Sequence, residues 1–327
     1  MPAAPASRKH YRLGALYSIV TAALLATQEP FSALAAKRLA PALFVCLTQA
    51  ALLLSVPLLI SSSASRRDFI ALLATPTNYW KLAVLFVIGL TGLLLYNAGL
   101  SNAHPIIIAA ILNLSPLWAA AVALLISKKP IPVSPGIFFG CLAIAFIGAM
   151  TIAWSQASGS NAPTLAALAA SLRHTTWFYA IPIPILFALS GTLVGHWFGK
   201  FDPAAAIAAN FVVSATILIP ATVALLTLHP ASAGRGQAAA AIVFLIIGTL
   251  ASAAAGRVLY QVALAATKND NGFVTMFFLT VPGLTTLISI PLSWWIPELR
   301  FVASPLFFSG LALVAAPLLF FSVRAWR

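Results

Sequence analysis

In this chain of 327 residues, hydrophobic side chains make up 61% and charged ones only 7%, and the mean hydropathy is +1.01; a soluble globular domain is excluded. A net charge of +13 would suit a nucleic-acid binder, but the cations sit at the ends of apolar runs and not in one basic tract. The runs are continuous, without the alternation of barrel strands, which leaves an all-α integral membrane protein.

A bilayer-crossing helix needs roughly 20 mainly apolar residues. Ten such spans are predicted, near 12–35, 41–60, 81–102, 105–127, 134–154, 177–199, 203–226, 238–264, 273–295 and 302–322. The first follows Arg8, Lys9 and Arg12 and contains Ala33-Leu34-Ala35, a triplet of signal-peptidase type. Cleavage there would leave the first half of the chain one span short, so the segment is read as a retained helix. Glu29 lies in its outer part, on a stripe with Ser18, Thr21, Gln28 and Ser32 that should face protein or a water-filled cavity. A carboxylate costs roughly 2.5–3.5 kcal/mol at mid-bilayer. Glu29 is therefore a candidate proton-coupling or substrate group; the alternative is an interfacial pair with Lys37 or Arg38.

Lys37-Arg38-Leu39-Ala40-Pro41 opens the second span, which carries Cys46 and Pro57. The third ends in Tyr96-Asn97-Ala98-Gly99-Leu100, and a short turn, Ser101-Asn102-Ala103-His104-Pro105, leads into the fourth. That span carries Asn113 and Ser115-Pro116 and ends at Lys128-Lys129-Pro130. Cys141 lies in the fifth; two isolated membrane cysteines support neither a disulfide nor a metal site. The one long connection, Ser155 to Thr176, is rich in Ser, Asn, Gly and Ala, with a weak helical signal over Leu165–Leu172. Ser190 and His196 lie on the sixth span, and Asn210 on the seventh, which Lys200-Phe201-Asp202-Pro203 opens and Pro220 interrupts. In the eighth, Arg257 is flanked by Thr249, Ser252, Gly256, Tyr260 and Gln261. A guanidinium there can hold a carboxylate or phosphate bidentately, or pair with Glu29. Val281-Pro282-Gly283 marks the ninth span, and Pro297-Glu298-Leu299-Arg300 precedes the tenth.

These landmarks recur. Pro41 and Pro57 match Pro203 and Pro220, Tyr96-Asn97 matches Tyr260-Gln261, and Pro116 matches Pro282. Two five-helix repeats result, residues 11–160 and 175–323, and an odd number of crossings per repeat inverts the second relative to the first. With the N-terminus inside, twelve cations face the cytoplasm (Arg8, Lys9, Arg12, Arg66, Arg67, Lys81, Lys128, Lys129, Lys200, Lys268, Arg324, Arg327) and five face out (Lys37, Arg38, Arg173, Arg235, Arg300). Both termini are then cytoplasmic, in a cell inner or plasma membrane.

In this order the motifs resemble the drug/metabolite transporter superfamily, EamA-like branch: Tyr96-Asn97, the 101–105 turn and Ser115-Pro116 in the first half, and Pro297-Glu298-Leu299-Arg300 followed by Gly310 at the end of the second. The first half departs from the pattern, since Ser127-Lys128-Lys129-Pro130 carries no acid. The resemblance implies ten helices, a small-metabolite carrier that is often an exporter, and a central cavity lined by the first, third, fourth, sixth, eighth and ninth helices.

The expected function is secondary active transport of an amino acid or organic anion by alternating access, with Arg257, Tyr260, Gln261, Tyr96, Asn97, Asn113 and Ser190 at the substrate and Glu29 coupling protons. A multidrug exporter of lipophilic compounds and a channel-like facilitator are the alternatives. No catalytic motif of an intramembrane enzyme is present, and only five acids exist to build one. No cofactor, metal or nucleic-acid partner is expected; the partners are a small-molecule substrate, the lipid bilayer and protons, for a monomeric carrier.

Overall fold

A backbone crossing hydrocarbon must satisfy its own N–H and C=O groups, and an apolar chain does so most simply as helices. The computed structural model describes residues 8–112, 114–127, 134–158, 176–228, 235–256 and 281–326, with isolated positions at 164, 166, 169, 259, 262 and 263. Among these it is all-α. The elements are α1 (Arg8–Ala26), α2 (Gln28–Arg38), α3 (Pro41–Leu54), α4 (Val56–Leu59), α5 (Ser63–Ala74), α6 (Tyr79–Asn102), α7 (Pro105–Leu112), α8 (Ser115–Ser127) and α9 (Pro135–Ser158). They continue as α10 (Thr176–Ala180), α11 (Pro182–Phe198), α12 (Pro203–Leu228), α13 (Arg235–Thr249), a π-helical segment (Leu250–Gly256), α14 (Val281–Trp295) and α15 (Pro305–Trp326). Among the described residues seven helical stretches are long and apolar enough to cross a membrane, and two shorter apolar helices cover Ala239–Ser252 and Pro305–Pro317. This is a multi-pass membrane protein. The Leu165–Leu172 stretch and Lys128-Lys129-Pro130 lie largely or wholly outside the described residues.

Proline opens six of these helices (Pro41, Pro105, Pro135, Pro182, Pro203, Pro305), where its missing N–H costs nothing. Inside a span it has a price that neighbouring groups must meet. The first predicted span is in fact two helices, broken at Thr27. Pro30 cannot donate to the carbonyl four residues back, Ala26. That carbonyl accepts instead from Thr285 Oγ1 of α14 at 3.3 Å, while Thr27 Oγ1 donates to the Leu24 carbonyl at 2.7 Å. The fourth span breaks likewise between α7 and α8, where Ser115 Oγ donates to the Leu112 carbonyl that Pro116 leaves without an amide.

α2 is the centre of the bundle. Ala33, Leu34, Ala35 and Ala36 are all buried, and it packs on α13, α6, α7 and α14. Small residues bring backbones together in a bilayer, where no hydrophobic force draws one helix to another. Gly248 of α13 faces Phe31 of α2 so closely that an added Cβ would lie 2.9 Å from the Phe31 Cβ. α9 and α15 form another close pair, with Gly148 and Gly310 at their crossing.

The connections sort to two ends. At one, Ser101 Oγ donates to the Ala36 carbonyl (2.9 Å), Ser155 and Ser304 hydroxyls meet at 2.8 Å, and the Gln156 side chain bonds both the N–H and the C=O of Val302 at 3.1 Å. At the other, Asp68 of α5 accepts from the Asp202 backbone N–H at 2.9 Å, Ser65 donates to the Asp202 carboxylate at 2.8 Å, and Trp80 meets Trp197 edge-on at 5.2 Å. Asp202 Oδ1 in turn accepts from the Ala204 N–H at 2.7 Å and caps α12.

Candidate functional site

The site is marked by polar atoms that the fold buries without a hydrogen-bond partner. Such atoms are few in native proteins, and each calls for a reason. Among the described residues they are Glu29 Oε2, Tyr96 OH, Asn97 Nδ2, Gln49 Oε1, Asn210 Oδ1 and Ser289 Oγ.

Glu29 and Tyr96 lie close enough to act on each other electrostatically, and Asn97 follows Tyr96 on the same helix. Leu93, Tyr96, Asn97 and Leu100 recur at helical spacing and form the inward stripe of α6, each at most 9% exposed, whereas Leu94 beside them is 44% exposed. α6 packs on α2, where Glu29 sits in the first turn with 6% of its surface exposed. A helix N-terminus presents unpaired amides and favours an anion, so the break at Thr27 gives this carboxylate its place. Gln28 and Ser32 lie within hydrogen-bonding reach of the Tyr96 hydroxyl, and the Glu29 carboxyl is near enough to act on it electrostatically. The Tyr96 ring lies 6.4 Å from that of Phe44 on α3, which closes one side.

Lys37 lies eight residues on from Glu29, about 12 Å along the helix axis, and no ion pair joins them among the described residues. The rest of the polar stripe is self-satisfied: Ser18 donates to the Gly14 carbonyl and Thr21 to that of Tyr17, both at 2.8 Å.

Further hydroxyl groups are buried on α14, where nothing in the sequence beyond residue type marked them, and around the π-helical segment, where the stripe beside Arg257 did. Thr285 and Ser289 are fully buried on α14, and Thr285 reaches the broken first span. The π-helical segment packs on α1; Ser252 within it and Thr249, the residue just before it, are buried. π-helical turns are rare and concentrate at functional sites. Arg257, Tyr260 and Gln261, which follow that segment, lie outside the described residues, and so does Asn113. Ser190 is half-buried on α11, which packs on α6 and α8. Asn210 on α12 keeps an unpaired carbonyl oxygen, as Gln49 does on α3, and these two helices pack together. His196 is exposed in the last turn of α11.

At the end of the bundle nearest Glu29, His104 ties two loops. Its Nδ1 accepts from the Ile106 N–H at 3.3 Å, so its Nε2 carries the proton and donates to the Leu299 carbonyl at 3.1 Å. Burial lowers this imidazole from 6.5 to about 4; the Leu299 carbonyl pulls the other way and the nearby Lys37 charge adds to the lowering. His104 is a neutral latch.

An apolar crevice of about 330 Å³ lies elsewhere, between α8, α9 and α11, lined by Trp118, Phe139, Phe146 and Pro184. Its lining side chains are apolar apart from the Trp118 indole N–H, and the Glu29–Tyr96 region is the better candidate on chemical grounds.

No protein-family model and no curated protein matches the chain. It does align with a solved structure described only as "Crystal structure of protein", over 95% of its own length and 95% of the other's, with a TM-score of 0.55 and 15% identity. A likeness of that degree is one of fold alone.

Proposed function

We propose that the protein is a secondary active transporter of a small metabolite, working by alternating access, with ten spans in two inverted five-helix repeats like those of EamA-like drug/metabolite transporters. The observation that carries this reading is the pattern of helix pairing. Let the spans be α1–α2, α3–α4, α6, α7–α8, α9, α10–α11, α12, α13 with the π segment, α14 and α15, and exchange the two sets of five. The pairs α9 with α15, α3 with α12, and α7 with α14 map onto themselves. The pair α2 with α13 maps onto α6 with α11, α1 with α14 onto α8 with α11, and α3 with α13 onto α6 with α12. Two halves that pack interchangeably about a central site can close it at either end in turn, which is what a carrier needs and a static channel does not.

The buried Glu29, beside a proline-made break in the first span, supports a proton-coupling role. Arg257, Tyr260, Gln261 and Asn113 remain proposed substrate contacts alongside Tyr96, Asn97 and Ser190. In this reading both termini are cytoplasmic and the membrane is the inner or plasma membrane. The α8–α9–α11 crevice favours a second reading, export of lipophilic compounds drawn from the bilayer. Flux into proteoliposomes decides between them. Saturable uptake of amino acids or organic acids, driven by a pH gradient, is expected of the wild type. Glu29→Gln should abolish the pH-driven component while exchange persists at saturating substrate. Non-saturable flux would identify a channel, and flux of lipophilic cations alone would identify the drug exporter.

A further inference from the structure

Resting on the transport reading, we infer that α5 is a strap that latches one end of the carrier shut, and that the other end has no equivalent, so the two gates are unequal. α5 belongs to the first half of the chain and α12 to the second, and the two pack together. Ser65 and Asp68, three residues apart, share one face of α5. The Ser65 hydroxyl donates to Asp202 Oδ2 at 2.8 Å, and Asp68 Oδ2 accepts from the Asp202 N–H at 2.9 Å. The remaining Asp202 oxygen caps α12 by accepting from the Ala204 N–H at 2.7 Å. Asp68 thus sets a second carboxylate beside the N-terminus of a 26-residue helix, where negative charge is favoured. Ser62 fixes the start of the strap, accepting from the Ser65 N–H at 3.0 Å while the two hydroxyls meet at 2.7 Å. Beneath these bonds, Leu72 of α5 shares one buried apolar cluster with Leu82 of α6, Phe198 of α11 and Ala205 of α12. The strap crosses the seam between the halves with polar bonds at its start and apolar packing further along.

Exchanging the two halves fails at this point. Pro41 of α3 matches Pro203 of α12, but the residue before the proline is Asp202 in one half and Ala40 in the other, and Ala40 makes no side-chain cap. The 12-residue α5 occupies the connection between α4 and α6, whereas only residues 229–234 separate α12 from α13. The far end therefore lacks both the cap and the strap. Neutral bonds tie it instead, between His104 and Leu299, Ser155 and Ser304, and Gln156 and Val302. To open at the α5 end the carrier must draw the Asp68 carboxylate away from α12, free Asp202 from Ser65 and uncover Leu72. The strap holds that gate in the closed population, and its loss shifts the balance toward opening there.

The test is a distance measurement on the full-length protein in lipid nanodiscs, with Cys46 and Cys141 replaced by alanine. Spin labels at Ser63→Cys and Lys200→Cys, both exposed positions, report the gap across the strap. The otherwise wild-type protein should show one dominant separation. Ser65→Ala combined with Asp68→Ala leaves the Asp202 cap in place and removes both bonds of the latch. It should raise the population of a longer separation at least about tenfold. Asp68→Asn alone, which keeps one acceptor oxygen, should fall between the two. Asn78→Ala is the control, because the bond from Asn78 Nδ2 to the Leu72 carbonyl (3.2 Å) lies within the first half. It should leave the separation as in wild type. The inference is overturned if the double variant keeps the wild-type separation, or if Asn78→Ala opens the gap as far, which would mean fraying of α5. Should the double variant not fold, Asp68→Asn and Ser65→Ala carry the test singly, and wild-type separations in both overturn it. Saturable flux with no change of separation sinks the strap and leaves the transport reading standing; the expected separations without any saturable flux in proteoliposomes do the reverse.

Discussion

A single missing N–H organises the centre of the molecule. Pro30 frees the Ala26 carbonyl, and Thr285 Oγ1, from a helix far away in sequence, takes it up at 3.3 Å. Thr285→Val keeps the shape and removes the donor, stranding a buried carbonyl. Interhelical hydrogen bonds in membranes are worth about 1 kcal/mol, so the unfolding midpoint in detergent should fall by that measure, and Thr285→Ser should restore it. An unchanged midpoint for the valine variant would mean that the break is held by other groups. His104 gives a residue-level prediction of the opposite kind, set by pH. Its imidazole is lowered to about 4 from 6.5, so between those values the unfolded chain binds a proton that the native latch refuses. Stability is therefore full above pH 6.5 and falls as pH drops from 6.5 towards 4, by at most about 3 kcal/mol. Thermal unfolding scanned from pH 7.5 to 4.5 should show this loss, and His104→Gln should flatten it.

Helices were easier to read in the sequence than their interruptions. Continuous apolar runs fix where a backbone must be helical, because lipid offers no other partner. Periodicity says less in a bilayer, where lipid-facing and core-facing residues are both apolar, so the packing of α2 on four neighbours had no signal. The break at Thr27 did have one: Pro30 inside a span points to the carbonyl four residues earlier, next to the residue that splits α1 from α2. Glu29, Tyr96 and Asn97 were legible as polar groups in apolar runs; the approach of Glu29 to Tyr96 was not, since nothing in sequence says which faces of α2 and α6 meet. Thr285 and Ser289, as ordinary hydroxyl residues, gave no warning. The closest crossing makes its own prediction. A Cβ at Gly148 would lie 2.7 Å from the Val314 backbone nitrogen and 2.8 Å from the Gly310 carbonyl oxygen. Backbone on the facing helix cannot yield as a flexible side chain can. Gly148→Ala should cost about 1–3 kcal/mol of stability by forcing α9 and α15 apart. Gly140, on the same helix, has nothing within 4 Å of its added Cβ. Gly140→Ala should stabilise slightly, by about 0.5–1 kcal/mol, because alanine is the better helix former. Equal effects at the two positions would refute the crossing.

At the scale of the whole molecule, the sorted ends turn topology into a problem with one unknown. The contacts among Asp68, Ser65 and Asp202 put the α5 loop and the start of α12 on one side. Those among Ala36, Ser101, His104, Leu299, Gln156 and Val302 put four other connections on the opposite side. Once any loop is assigned to a compartment, the rest follow. On the proposed ten-span topology, the positive-inside rule supplies an assignment to test: twelve cations against five would put the α5 side in the cytoplasm. Labelling with a membrane-impermeant maleimide tests it, in a background where Cys46 and Cys141, both buried in apolar helices, are replaced by alanine. Ser65 is a poor reporter, because its hydroxyl is engaged by Asp202 and Ser62. Ser63, which is exposed, takes its place. Three crossings, α6, α7–α8 and α9, separate Ser63 from Ser160, so the two positions must lie on opposite sides. In intact cells Ser160→Cys should react and Ser63→Cys should react only after permeabilisation. The reverse pattern would turn the molecule over and put both termini outside. Labelling of both from one side would break the odd count of crossings, and with it the proposed inverted repeat and the alternating-access reading that rests on it.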